Sequence, residues 1–230
     1  MRLYERFPGG RSEVFPRVTT DDTLKVFPRR KEGVRLLLIH ASIREWSWPN
    51  IGPLGQEYVA SAAWMDGHDV RVLDLNAERG RPIEYDERFL RWMDRRVEWA
   101  LDYHEPDVVG VSGIISQYSA IRRVARLVRM ARPQAIIVLG GGIASCLPKF
   151  MAERLPVDVV VQEEGEVTIS EVLERIELRA GFAGVKGTVY KAATGQIVDN
   201  GLRPSVKAGV EGLDHLPWPR RALWAEDEIY

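Results

Sequence analysis

The sequence predicts an α/β fold, and three observations carry the prediction. Short continuous apolar runs recur along the chain, VRLLLIH at 34–40, DVVGVS at 107–112 and AIIVL at 135–139, as strands buried on both faces require. Between them lie longer segments with apolar residues at helical spacing. The run at 135–139 ends in three consecutive glycines, Gly140, Gly141 and Gly142, where the backbone either turns with positive φ or lets something come very close.

Residues 1–33 are rich in proline, glycine and charge, and Pro8, Pro16 and Pro28 interrupt any long helix. They read as an arm without a core of its own. The first strand is 34–40, followed by a polar, aromatic loop at 41–53 and a helix over 54–65, with Leu54, Tyr58, Ala62 and Met65 on one side. Asp66, Gly67 and His68 end that helix before a second strand at 70–75. A loop at 79–86 leads to a helix over 87–103, with Phe89, Leu90, Met93, Val97 and Leu101 at helical spacing. Pro106 marks the break before the third strand at 107–112. A loop of small and polar residues at 113–118 precedes a helix over 119–130, and the fourth strand is 135–139. Pro148 can begin a short helix over 147–155. The fifth strand is 158–162, followed by the acidic turn Glu163, Glu164, Gly165 and Glu166 and a helix over 168–178.

Five strands alternating with helices predict a Rossmann-like parallel sheet with helices on both faces. Ligands of such sheets bind at the carboxyl ends of the strands, the edge that carries this chain's unusual loops. From Gly184 the pattern changes, and 187–192 with 196–200 read as a small C-terminal β-hairpin. The expected organisation is an arm at 1–33, the main domain at 34–183, the hairpin at 184–212 and a linker at 213–230.

Composition narrows the function. The chain has 230 residues, 45% hydrophobic and 28% charged, with a net charge of −1, which describes an ordinary globular protein. The 32 basic residues are matched by 33 acidic ones, so no nucleic-acid footprint stands out. Arg122, Arg123, Arg126 and Arg129 follow the spacing of a solvated helix face. No apolar run reaches the roughly 20 residues of a membrane span, and a cytoplasmic location is the default expectation. A lone cysteine, Cys146, excludes any iron–sulfur site built from several thiolates of this chain.

Several features then coincide in order: Gly52-Pro53-Leu54-Gly55 before a helix, Gly67-His68-Asp69-Val70 before the second strand, 106–112 as PDVVGVS, the glycine triplet, and 158–161 as DVVV ahead of Glu164-Gly165-Glu166. Together they resemble the cobalamin-binding domain at the front of cobalamin-dependent radical S-adenosylmethionine enzymes, over roughly residues 34–220. The resemblance implies a corrin ring across the carboxyl edge of the sheet and a nucleotide tail in a slot beside the glycine-rich strand.

Carried over residue by residue, Ser112, Gly113 and Ile114 resemble the Ser-x-Leu element that meets the tail, with Ile in place of Leu. Gly141 and Gly142, with Gly140 and Ile143 beside them, match the glycine pair that lets the tail pass. Glu164, Gly165 and Glu166 match the acidic turn after the fifth strand. Ser116, Gln117 and Tyr118, with Pro53 on the loop at 44–53, are the places to look for cover over the lower face of the ring. Each has a plainer reading, since Ser112 can terminate a strand and the carboxylates can complement a helix dipole.

Two departures matter. The Asp-x-His-x-x-Gly motif of the cobalamin mutases is absent: the region reads His40-Ala41-Ser42-Ile43-Arg44-Glu45, which makes His40 a strand-end residue rather than a cobalt ligand. The radical enzymes commonly lack that histidine as well, so the resemblance implies base-off cobalamin with no metal ligand from this chain. The three-cysteine motif of those enzymes is also absent.

The expected function is therefore the cobalamin-binding, corrinoid-holding module of a radical S-adenosylmethionine methyltransferase, with the [4Fe-4S] cluster and S-adenosylmethionine in a radical domain of the same longer chain or in trans. A free-standing corrinoid carrier or sensor is the alternative. A nucleotide-binding domain is weaker, because the glycines lack G-x-G-x-x-G spacing and follow the fourth strand rather than the first. No catalytic acid, base or nucleophile set is expected here.

Overall fold

The computed structural model describes residues 33–42, 52–76, 86–205 and 216–223. The expected arm over residues 1–32, the loop cover over 43–51, the loop at 79–85 and most of the expected linker lie outside them. The described chain forms seven strands: β1 (Arg35–His40), β2 (Asp69–Asp74), β3 (Val108–Ser112), β4 (Ile136–Gly140), β5 (Val159–Val161), β6 (Thr188–Lys191) and β7 (Ile197–Asp199). Six helices accompany them: α1 (Leu54–Met65), α2 (Glu87–His104), α3 (Tyr118–Ala131), α4 (Gly142–Cys146), α5 (Pro148–Arg154) and α6 (Glu166–Glu177).

The sheet order is β2-β1-β3-β4-β5-β6-β7. The first five strands are parallel, as expected. The hairpin strands do more than append to the domain: β6 pairs antiparallel with β5, and β7 with β6. That extension covers the edge of β5 which a five-stranded sheet would leave exposed.

Two apolar layers sandwich the sheet. On one face α2, α3, α4 and α5 bury Phe89, Met93, Val124, Val128, Ile143 and Met151 against Leu37, Ile39, Val109, Val111 and Leu139. On the other, α1 and α6 bury Ala60, Ala63, Trp64, Ile169, Val172 and Leu173 against Leu36, Leu38, Val108, Val138 and Val159. Because side chains alternate along a strand, residues of β1, β3 and β4 divide cleanly between the layers.

The expected face of α1 needs correction. Leu54 is 53% exposed, and the buried residues are Gln56, Glu57 and the run from Ala60 to Trp64. The helix packs on the sheet alongside α6, and its small alanines let it approach both.

Local chemistry sets the ends of the elements. Asp86 caps α2 by accepting from the backbone N–H groups of Arg88 at 2.8 Å and Phe89 at 2.9 Å. Glu105, at φ 45, ends that helix ahead of Pro106. The arginine face of α3 is solvated only in part. Arg122 and Arg126 are exposed, whereas Arg123 pairs with Asp94 at 2.6 Å. Arg129 donates to Asp158 at 2.6 Å and to the carbonyls of Pro133 and Ala135, and Asp158 also accepts from the N–H of Ile137 at 2.7 Å. Arg129 thus clamps the amino ends of β4 and β5. Within 216–223, Arg220 lies 4.1 Å over the Trp64 ring and its N–H donates to Ser61 Oγ at 2.9 Å, so this stretch rests on α1.

His104 closes α2 at the amino edge, with Nε2 3.2 Å from the Leu36 carbonyl. Burial pushes its pKa below the ordinary 6.5, so the folded state holds it neutral while the unfolded chain takes up a proton as pH falls through that value. Stability is therefore expected to decline below about pH 6.5, and His104→Gln, which keeps an N–H donor for Leu36, flattens that decline in Tm measured against pH.

Candidate functional site

The strand order reverses between β1 and β3, because β1 is followed spatially by β2 on one side and by β3 on the other. At such a switch point the two connections leave in opposite directions and open a crevice beyond the carboxyl ends of the strands. The last row of side chains before that crevice is set by register. His40 lies opposite Asp74 and Ser112, and Ser112 lies opposite Gly140. Strand alternation from Leu38, Gly110 and Val138 places this row on the face covered by α1 and α6.

The glycines differ in what surrounds them. A Cβ on Gly140 would meet nothing within 4 Å, so open space lies over the end of β4. A Cβ on Gly141 would fall 2.7 Å from the Gly113 carbonyl oxygen and 2.8 Å from Ser112 Oγ. Gly141 also sits at φ 82 and ψ −174, a conformation confined almost wholly to glycine. Gly142 is the first residue of α4, a short helix not foreseen in the sequence, and a methyl there would make an ordinary contact 3.6 Å from Ile114 Cγ2. The triplet is thus an open end, a tight turn and a helix start in succession.

Ser112, Gly113 and Ile114 meet the glycine turn directly. The N–H of Ile143 donates to the Gly113 carbonyl at 3.2 Å, tying the β3 and β4 loops together. Gln117 is buried and occupied within the protein: Oε1 accepts from the Ile114 N–H at 2.6 Å and Nε2 donates to the Ala41 carbonyl. Its role is to hold the loops after β1 and β3. Ser116 is exposed and Tyr118 half-buried, on a 3-10 turn and the start of α3 where a plain loop was expected.

The acidic turn joins the same edge. The N–H of Glu163 donates to Ser145 Oγ at 2.7 Å. A Cβ on Gly165 would fall 3.1 Å from Val59 Cγ2, so Gly165 lets the start of α6 press on α1. Glu166 is held above the ordinary carboxylate range by burial, with the like charge of Glu164 adding to the effect. Pro53 is half-buried, and its carbonyl accepts from the N–H groups of Gln56 at 2.8 Å and Glu57 at 3.2 Å, opening α1.

Further residues complete the edge, among them Asp74, Asn76, Ile115 and Val167, which the sequence did not mark. Nδ1 of His40 lies 3.0 Å from Asp74 Oδ1, and Asn76 binds the same oxygen through its backbone N–H at 3.0 Å and its amide at 2.7 Å. His40 is accordingly a strand-end residue whose ring is oriented by a carboxylate. Leu54, Ile114, Ile115 and Val167, on loops and helix starts at the carboxyl edge, are 53%, 49%, 56% and 41% exposed and form an apolar rim. Among the described residues no group of three or more His, Cys, Asp and Glu side chains is placed to hold a metal ion. Nor is any described helix long and apolar enough to cross a membrane.

Comparison with known proteins bears on what this edge is for. The family described as B12 binding domain matches residues 49–173. The cytidylyl-2-hydroxyethylphosphonate methyltransferase of Streptomyces wedmorensis is 28% identical over 214 residues, which cover 83% of this chain and 40% of that protein. Among solved structures, the radical S-adenosylmethionine methyltransferase TsrM from Kitasatospora setae, with cobalamin and a [4Fe-4S] cluster bound, superposes with a TM-score of 0.60 at 22% identity, over 77% of this chain and 31% of that one. The cobalamin-dependent S-adenosylmethionine radical enzyme OxsB, with aqua-cobalamin and S-adenosylmethionine bound, gives 0.58 at 18% identity, over 75% and 23%. At these identities the structural likeness establishes the fold alone. The chain spans well under half the length of each of these relatives.

Proposed function

The chain belongs to the B12-binding domain family, and from that premise we propose that it is the cobalamin-holding module of a radical S-adenosylmethionine methyltransferase. The observation that carries the reading is the open space over Gly140 at the carboxyl end of β4, one strand from the switch point and walled by Ser112 and the close-packed Gly113–Gly141 contact. Such a gap admits a slender group beside bare backbone, and the apolar rim of Leu54, Ile114, Ile115 and Val167 offers a resting surface to a flat macrocycle. The residues present therefore fit a corrinoid with a narrow tail.

In this reading Ser112, Gly113, Gly140, Gly141 and Gly142 line the passage for the tail, Ile114 and Ile143 pack its mouth, and Glu164 and Glu166 accept hydrogen bonds from hydroxyl or amide groups of the ligand. When bound, cobalamin supplies a cobalt centre able to carry a methyl group. The contribution of this chain is to bind and orient the cofactor and to exclude water from one side of it. Gln117 and the Ser145–Glu163 bond serve that end by fixing the loops after β1, β3, β4 and β5 relative to one another.

The whole enzyme's chemistry lies in a radical domain, in the same longer chain or in trans, which contributes the iron–sulfur cluster and S-adenosylmethionine. Cys146, the chain's one cysteine, cannot supply the three thiolates of such a cluster. The names of the relatives support methyl transfer as the reaction class.

The test is direct. Purified chain mixed with hydroxocobalamin is expected to carry the colour of the corrinoid through gel filtration at a ratio approaching one per chain. A protein that emerges colourless overturns the proposal.

A further inference from the structure

Gln56 is a buried amide with nothing to bind. It is 6% exposed, and neither its Oε1 nor its Nε2 has a hydrogen-bond partner. Buried polar groups are ordinarily paired, and one left unpaired destabilises the fold that contains it. The rest of the first turn of α1 does not relieve it, since the Pro53 carbonyl is taken by the backbone N–H groups of Gln56 and Glu57.

The position of Gln56 indicates what would pair with it. Ala60 lies one turn further along α1, followed by Ala63 and Trp64, and these three belong to the apolar layer that includes Leu36, Leu38, Val108 and Val138. Residues four apart on a helix share a face, so Gln56 continues this sheet-facing stripe by one turn toward the carboxyl edge. Two residues beyond Leu38, Gly110 and Val138 on the same face of the strands come His40, Ser112 and Gly140. Gln56 therefore stands at the carboxyl-edge end of α1, over β1 and β2, on the same side of the sheet as the open space at Gly140.

We infer that the Gln56 carboxamide is a ligand-reading group of this slot, making a paired donor and acceptor contact to an amide or hydroxyl group of the bound corrinoid. The inference rests on the cobalamin reading above and adds a residue to it. The matching chemistry exists in two parts of the ligand, the carboxamide arms of the corrin ring and the nucleotide loop. A primary carboxamide can offer N–H and C=O to either at once.

The experiment compares the wild-type chain with Gln56→Met, which keeps length and volume while removing both polar atoms, and with Gln56→Leu as a second apolar variant. Each is titrated by visible absorption with hydroxocobalamin and with diaquacobinamide, which lacks the nucleotide loop, and each is melted without ligand. Both variants are expected to melt higher than wild type when ligand-free, because an unpaired buried amide has gone, and to bind hydroxocobalamin about tenfold more weakly, the order of one hydrogen-bonded pair. Unchanged cobinamide affinity assigns the contact to the nucleotide loop, and an equal loss assigns it to the ring's amide arms. Hydroxocobalamin bound by both variants as tightly as by wild type overturns the inference and leaves the cobalamin reading standing. A wild-type chain that binds neither corrinoid overturns that reading, and this inference with it.

Discussion

Gly140→Val leaves the ligand-free chain as stable as wild type and weakens hydroxocobalamin binding by roughly 10- to 100-fold, because overpacking a fitted contact costs about 1–3 kcal/mol. The expectation follows from where this glycine stands. It is the last residue of β4, its φ is not in the left-handed region, and a Cβ there meets nothing within 4 Å. A β-branched residue suits an extended backbone, so the fold has no reason to object, and the change should stay within about 0.5 kcal/mol of wild type. The added carbons instead fill the space assigned to the ligand. Thermal melts without ligand and a hydroxocobalamin titration check both halves. Wild-type affinity in a stable Gly140→Val chain would mean that the gap is not the ligand's.

Gly141→Ala is expected to damage the fold itself. Its backbone conformation costs a non-glycine residue about 1–3 kcal/mol. The new methyl would also stand 2.7 Å from the Gly113 carbonyl oxygen, 2.8 Å from Ser112 Oγ and 2.9 Å from the Gly113 nitrogen, two of which are backbone atoms unable to swing aside. A combined loss of about 3 kcal/mol lowers Tm by roughly 6–12 °C in a chain of this length. Because the displaced groups are those proposed to line the tail passage, corrinoid binding should fall as well, even at temperatures where the variant remains folded. A Tm within a degree of wild type would show that the loops after β3 and β4 are not locked together as described. Gly142→Ala is the control for the loss of stability alone, since its methyl makes only an ordinary contact with Ile114.

The adjacent glycines thus have separable roles, and the sequence could not separate them. It presented a triplet after an apolar strand, which marks a place where side chains are unwelcome without saying why. Whether the reason is backbone angle, a neighbour's approach or a ligand depends on what stands opposite, and that comes from β3, about 30 residues earlier in the chain. Gln56 has the same origin. In the sequence it is a polar residue near a helix start, where polar residues are usual. Only the packing of α1 against the sheet and alongside α6 makes it a buried amide without a partner. Gln117, read as a possible cover for the ring, proved to be engaged by Ala41 and Ile114, a pairing between loops that no local pattern encodes.

What the sequence determined by itself was the alternation of strand and helix, the parallel core from β1 to β5, and the edge on which unusual loops collect. These follow from periodicity and from glycine and proline, whose effects act within a few residues. The tertiary structure alone decided the strand order and therefore the switch point, the use of the hairpin to close the edge of β5, the helix face that turns inward, and the row of His40, Ser112 and Gly140 on the face that α1 and α6 cover. Those depend on which distant surfaces bury one another most completely, and burial is a property of the assembled layers rather than of any one segment.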